Sequence, residues 1–105
     1  ILPMIKYEEN EKKLFIYGLD FPEMLQQHDK YKKARFVFAP DLTSVPKHGF
    51  KDFLYLKFAI LPKAEELGEE SFDECNCLLI IYMPLVKTIG GNCFQNCNSL
   101  SKLCF

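Results

Sequence analysis

This chain of 105 residues lacks an excess of either charge, with 13 lysines and arginines against 14 aspartates and glutamates and a formal net charge of -1. Proteins that hold nucleic acid or an anionic membrane through their overall field carry a basic surplus, so neither partner is expected. A long apolar run is also missing. The longest, Cys77 to Met83, falls far short of the roughly 20 residues that span a bilayer, and the N-terminus has no basic-then-apolar leader pattern. No membrane insertion by this segment is expected. Cysteine is absent before residue 75, and the five that follow are an odd number, which excludes a disulfide framework that pairs them all across the fold. Catalytic spacing is missing too: His28 and His48 have no serine or cysteine at a nucleophile-motif spacing, and Gly90-Gly91 is not followed by the Gly-Lys-Ser/Thr of a phosphate loop. A nucleophile-plus-base pair would have to be assembled entirely by the fold, and no cofactor is expected.

What the chain has is repetition. Leu78, Ile81 and Met83 are followed 22 residues later by Leu100, Leu103 and Phe105. The same interval links Pro40, Pro62 and Pro84, and again Phe50, Phe72 and Phe94. Ala34, Leu56, Leu78 and Leu100 form one column, Val37, Ala59, Ile81 and Leu103 the next, and Ala39, Leu61, Met83 and Phe105 a third. These fit the inward face of a short strand of period two. Proline then ends three strands, because a ring without an N–H cannot continue a ladder. Leu42, Ala64 and Val86, then Val45, Leu67 and Ile89, return to the core. Gly68 and Gly90 read as turn residues, with Pro46 in their place one repeat earlier; Gly49, Ser71 and Cys93 are small residues before the Phe column, and Phe53, Cys75 and Cys97 close it. Asn76 and Asn98 are expected to close each turn through side-chain bonds to the backbone. One such unit cannot bury its apolar columns, whereas stacked units bury all of them against the next copy, which is the logic of a solenoid.

Residues 1–33 are less regular. The run from Tyr7 to Lys13 reads as a solvated loop or short helix, and Leu14-Phe15-Ile16-Tyr17, stopped by Gly18, reads as a strand. Gly18 lies 22 residues before Pro40, but His28 stands where later repeats carry phenylalanine. This segment is expected to be a degenerate repeat or an N-terminal capping element, with residues 34–105 forming about three 22-residue repeats plus the first strand of another. The chain does not begin with Met and starts and stops inside strand-like segments, so it is expected to be a fragment of a longer array.

The pattern Leu-x-x-Ile-x-Met-Pro-x-Val-x-x-Ile-Gly-x-x-Cys-Phe-x-x-Cys-x-x-Leu in residues 78–100 resembles the BspA-like, or treponemal-type, leucine-rich repeat. Leu67 to Cys75 and Val45 to Phe53 are progressively weaker copies. The resemblance implies an α/β repeat solenoid: a right-handed coil with a short parallel sheet on one face and turns or short helical turns on the other. It also implies a cell-surface or secreted setting, a role in adhesion or protein binding, and no catalytic residues.

The candidate binding residues lie between the inward columns: Phe36, Phe38, Phe58, Ile60, Ile80 and Tyr82, followed by Lys102 and Cys104. A merely solvated strand alternates apolar with polar. A contiguous apolar ladder marks a contact surface for a protein partner or a neighbouring copy. The competing readings are that the N-terminal segment or flanking sequence folds over this face, or that strand propensity alone explains it. A second function class is a structural or regulatory repeat segment attached to an enzyme. Cys75, Cys77, Cys93 and Cys97 could in principle hold zinc, but column packing already accounts for three of them, so no metal is expected. A Cys75–Cys97 disulfide between coils is open only in an oxidising compartment; otherwise the pair is expected as buried thiols.

Overall fold

The computed structural model describes residues 4–105; Ile1, Leu2 and Pro3, the start of the expected N-terminal element, lie outside the described residues. A hairpin of β1 (Met4–Glu8) and β2 (Lys13–Tyr17) opens the fold, followed by the one-turn helix α1 (Met24–Gln27) and a 3-10 segment (Asp29–Lys33). Strand pairs then recur once per coil: β3 (Phe36–Phe38) with β4 (Ser44–Val45), β5 (Phe58–Ile60) with β6 (Glu66–Leu67), and β7 (Ile80–Tyr82) with β8 (Thr88–Ile89), before β9 (Lys102–Cys104). They assemble into a six-stranded sheet, β1-β2-β3-β5-β7-β9, and a three-stranded sheet, β4-β6-β8. All pairings are parallel except β1 with β2. The chain is thus a solenoid of stacked coils. Both helical elements precede residue 34, so the repeats themselves are made of strands and turns.

The interval of 22 is a hydrogen-bond register. Val37 pairs with Ala59, Ala59 with Ile81 and Ile81 with Leu103, while Val45 pairs with Leu67 and Leu67 with Ile89. Stacking buries the columns: Ala34, Val37, Ala39, Leu42, Leu56, Ala59, Leu61, Ala64, Leu78, Ile81 and Met83 have no exposed surface. In the last coil the same columns are open, with Ile89 44%, Leu103 46% and Phe105 50% exposed, because no coil of this chain lies on them. Phe50, Phe72 and Phe94 stack with ring centroids 5.2 and 5.8 Å apart. Such ring pairs add about 0.5–1.5 kcal/mol each beyond the area they bury.

Between the short sheet and the next long-sheet strand, the chain folds into consecutive β-turns, and these also stack in register. Their third residues take left-handed backbone angles in two columns: His48, Glu70 and Asn92 at φ 61°, 54° and 55°, then Asp52, Glu74 and Asn96 at φ 66°, 65° and 61°. A positive φ at the third position, as in a type II turn, favours glycine or asparagine there. The last coil supplies asparagine at both places. The turns add a third inter-coil ladder, in which Phe50 N–H donates to Ser71 C=O (2.7 Å) and Phe72 N–H to Cys93 C=O (3.0 Å). The asparagine side-chain bonds that the structure shows are made by Asn96, to Asp73 and Glu74, rather than by the expected Asn76 and Asn98.

Glycine at 68 and 90 answers a close approach of backbone to backbone. A Cβ at Gly68 would lie 2.5 Å from Lys47 N and 2.6 Å from Pro46 C, and one at Gly90 2.5 Å from Glu69 N. Pro46 fills the column position in the coil that β4 begins, and β4 is the outer strand of its sheet. A proline there gives up no ladder bond and meets no preceding backbone, and it is exposed.

The N-terminal segment departs from the expected register. Tyr7 and Glu8 are strand residues, and the polar run turns tightly after them instead of forming a helix. Leu14 pairs with Val37, an interval of 23 rather than 22, so position 28 does not fall under the phenylalanine column. Phe21 meets Phe50 edge to face at 5.1 Å instead. Gln26 completes the contact, its Nε2 donating to the carbonyls of Gly49 (2.8 Å) and Lys51 (3.0 Å).

Coil contact predicts opposite outcomes at two glycines. Gly68→Ala forces two coils apart and is expected to destabilise by about 1–3 kcal/mol. At Gly91, where an added Cβ has nothing within 4 Å, alanine is expected to change stability by less than about 0.5 kcal/mol. Urea denaturation midpoints of the two variants check this.

Candidate functional site

The six-stranded sheet turns one face to the coil interior and the other outward. On the outward face the strands align Lys13, Phe36, Phe58, Ile80 and Lys102 in one cross-strand row, and Phe15, Phe38, Ile60, Tyr82 and Cys104 in the next. All six residues singled out in the sequence therefore lie side by side. Phe58 and Tyr82 are the most open, at 36% and 42%, whereas Phe36, Phe38, Ile60 and Ile80 are half-buried among their neighbours. Residues 4–33 do not fold over this face; their strands extend the sheet at its edge.

Two residues of the ladder escape a reading based on the 22-residue interval. Phe15 joins Phe36 at 6.3 Å and stacks on Tyr17 at 6.5 Å. The alternation of Leu14 and Ile16 inward with Phe15 and Tyr17 outward could have found them, but the register shift of one residue hid their place in the rows. Lys6 on β1 lies over the Phe15 ring, 6.0 Å from its centroid. The apolar rows are thus framed by cations: Lys6 and Lys13 at one edge, Lys102 at the other.

The cysteines sit in the packing columns rather than around a common point. Cys75 Sγ donates to Phe50 C=O (3.2 Å), Cys97 Sγ to Phe72 C=O (3.1 Å), and Cys93 Sγ lies 3.1 Å from Ser71 Oγ. Burial pushes the Cys75 thiol far above its ordinary value and the Cys97 thiol up to about 11. Both are therefore protonated at neutral pH and serve as hydrogen-bond donors, not as nucleophiles or thiolate ligands. All five cysteines are free, and among the described residues no group of three or more histidines, cysteines or carboxylates could hold a metal. Among the same residues no helix is long and apolar enough to cross a membrane.

On the coil surface, ion pairs and one histidine–carboxylate hydrogen bond follow the repeat. His48–Glu70 (2.6 Å), Lys51–Asp73 (3.7 Å), Lys63–Asp41 (3.5 Å) and Lys87–Glu65 (2.8 Å) each join positions on adjacent coils. An ionised carboxylate can only accept, so His48 Nε2 donates to Glu70, and this bond holds the Glu70 carboxyl below its ordinary range.

A coil of parallel strands and stacked turns, with apolar columns between them, defines a leucine-rich-repeat solenoid. The chain belongs to the BspA-type leucine-rich repeat family: the family profile, described as "BspA type Leucine rich repeat region (6 copies)", matches residues 28–105. Among solved structures it is similar to the leucine-rich repeat protein of T. pallidum, with a TM-score of 0.67, 19% identity and 98% of this chain covered. That likeness is one of fold, and the chain spans 47% of the T. pallidum chain. No curated protein sequence matches it.

The Glu70 bond has a pH signature. A carboxyl with a lowered folded pKa stabilises the fold above its unfolded value, near 4.5, and that contribution disappears as pH falls through the folded value. Between neutral pH and pH about 3, Glu70→Gln is expected to lose less stability than the parent chain. Parallel urea titrations across that range measure the difference, and equal slopes would mean the bond contributes nothing.

Proposed function

We propose that this chain is a non-catalytic binding module that takes a protein partner, or a neighbouring copy, on the outward face of its long sheet. Phe36, Phe38, Phe58, Ile60, Ile80 and Tyr82 are the anchors, and Phe15 and Tyr17 continue them at the edge. One observation carries the reading: the two rows stay apolar across three successive strands although all six side chains point away from the coil interior. Contiguous apolar surface of this kind costs solubility unless something covers it, and aromatic residues supply most of the energy of protein contacts. Residues 1–33 serve in this reading as the cap of the array, and residues 34–105 as its repeats. Adhesion at a cell surface is the setting that the family suggests.

The test uses Phe58 and Tyr82, the most exposed of the anchors. The double change Phe58→Lys, Tyr82→Lys is expected to leave far-UV circular dichroism unchanged and to shift stability by less than about 1 kcal/mol, since both side chains are partly solvated. A photo-crosslinking amino acid at Tyr82 is expected to trap a discrete protein, or a second copy, whereas the same group at Asn98 is not. Collapse of the double variant would make the face part of the core. Equal crosslinking from the two positions would remove the site.

A further inference from the structure

The edge of the long sheet at which its parallel strands begin carries a group of basic side chains beside the Lys13–Glu11 pair (2.9 Å). Lys12, Arg35 and Lys57 immediately precede Lys13, Phe36 and Phe58, the first outward row. They form a column: Arg35 N–H donates to Lys12 C=O (2.7 Å) and Lys57 N–H to Arg35 C=O (2.8 Å). Lys33 and Tyr55 join Lys12 and Arg35 to line a shallow cavity of about 210 Å³ in which no carboxylate takes part. Arg35 and Lys57 are exposed. Among the described residues, none of Lys12, Lys33, Arg35 and Lys57 enters an ion pair.

This breaks the habit of the rest of the solenoid. Elsewhere ion pairs put opposite charges on successive coils, as at Lys51 with Asp73 and Glu65 with Lys87. Arg35 and Lys57 occupy the same kind of position, one coil apart, with the same sign. Asp52 over Glu74 is the other like-charged step, and there Asn96 donates to Glu74 at 2.9 Å. Like charges opposite one another on neighbouring strands destabilise a sheet. The like charges of the column, as distinct from its backbone bonds, therefore do not stabilise the fold.

We propose that this column is the charged half of the sheet-face site and that its occupant is an acidic segment of a protein, with aspartate or glutamate beside aromatic or aliphatic residues. The inference rests on the reading of the sheet face as a protein-binding surface. One carboxylate enters the cavity at Lys12, Lys33 and Arg35, against Tyr55, and the apolar side chains beside it lie on Phe36 and Phe58. The cavity is smaller than the roughly 300–1,000 Å³ of small-molecule sites and suits a single side-chain carboxylate. Arginine adds a planar fork that matches carboxylate geometry. The column becomes Leu79 and Ser101 in the next coils, so the basic stretch ends too soon to track an extended phosphate backbone.

Panning a random-peptide phage library on the whole chain, then measuring a selected synthetic peptide by fluorescence polarisation, tests this. Selected peptides are expected to carry Asp or Glu next to apolar residues. Their affinity is expected to fall about tenfold or more in Arg35→Glu or Lys57→Glu, and to weaken as ionic strength rises. The melting temperature of Lys57→Glu is expected to hold or rise, because opposite charges then occupy the column, whereas a structural role for Lys57 would lower it. Peptides without acids that survive Lys57→Glu but not Phe58→Lys overturn this inference and leave the sheet-face reading intact. Peptides indifferent to both substitutions, or an empty selection, overturn both. Preference of the column for heparin or a single-stranded oligonucleotide over acidic peptides also overturns it.

Discussion

Everything in this chain depends on how closely one coil lies on the next. At Gly68 and Gly90 the backbones approach so nearly that a single methyl group would collide with a neighbouring peptide unit. That approach sets the register for the other contacts. Once residue 68 lies against 46 and 47, the two sheets pair in step and the turns line up their N–H and C=O groups. The phenylalanines then meet face to face. A slip of one residue would turn every strand inside out, so the interval of 22 is held simultaneously by glycine clearance, ladder bonds and ring stacking. Consistency among such local constraints is what gives a sequence one fold.

This is also why so much of the fold could be read from the sequence. Stacking puts equivalent residues in equivalent surroundings, so each column of the array advertises its environment several times over. Val37, Ala59 and Ile81 agree on burial, and Phe50, Phe72 and Phe94 agree on ring stacking, without any one position being decisive. The turns were less legible because their conformation is set by inter-coil bonds more than by residue type. Glutamate and histidine occupy left-handed positions at 48, 70 and 74 that favour glycine or asparagine, and only Asn92 and Asn96 announce them. The N-terminal segment was read least well. Its strand β2 joins the sheet at an interval of 23, and Phe21 and Gln26 reach the phenylalanine turn of the first repeat from positions that a 22-residue interval does not single out.

The candidate site shows the same division. The six residues from Phe36 to Tyr82 were legible because strand alternation fixes which residues point outward once the inward columns are known. Phe15 and Tyr17 needed the hairpin, since β2 joins the sheet at an interval of its own. The basic column could not be recognised from composition at all. The chain as a whole is nearly neutral, and Lys12, Arg35 and Lys57 become a group only when the 23- and 22-residue steps are laid side by side.

Those two steps expose a difference in what the repeat demands of its positions. Inward columns accept only what packs, which is why thiols there have become hydrogen-bond donors with raised pKa values rather than reactive groups. Outward positions carry no such demand, so the side chains found there are free to differ from coil to coil, as Lys51–Asp73 and Glu65–Lys87 do in order while keeping opposite sign. Against that freedom, a run of apolar rows bordered by stacked like charges is the arrangement that solvation and coil stability together would remove first. Apolar surface facing water and neighbouring cations each raise the free energy of the isolated chain, and they do so along one edge of the same sheet. A surface that both hydration and charge repulsion disfavour is stabilised most by a ligand that supplies apolar area and negative charge at once, since binding then relieves two costs at one place.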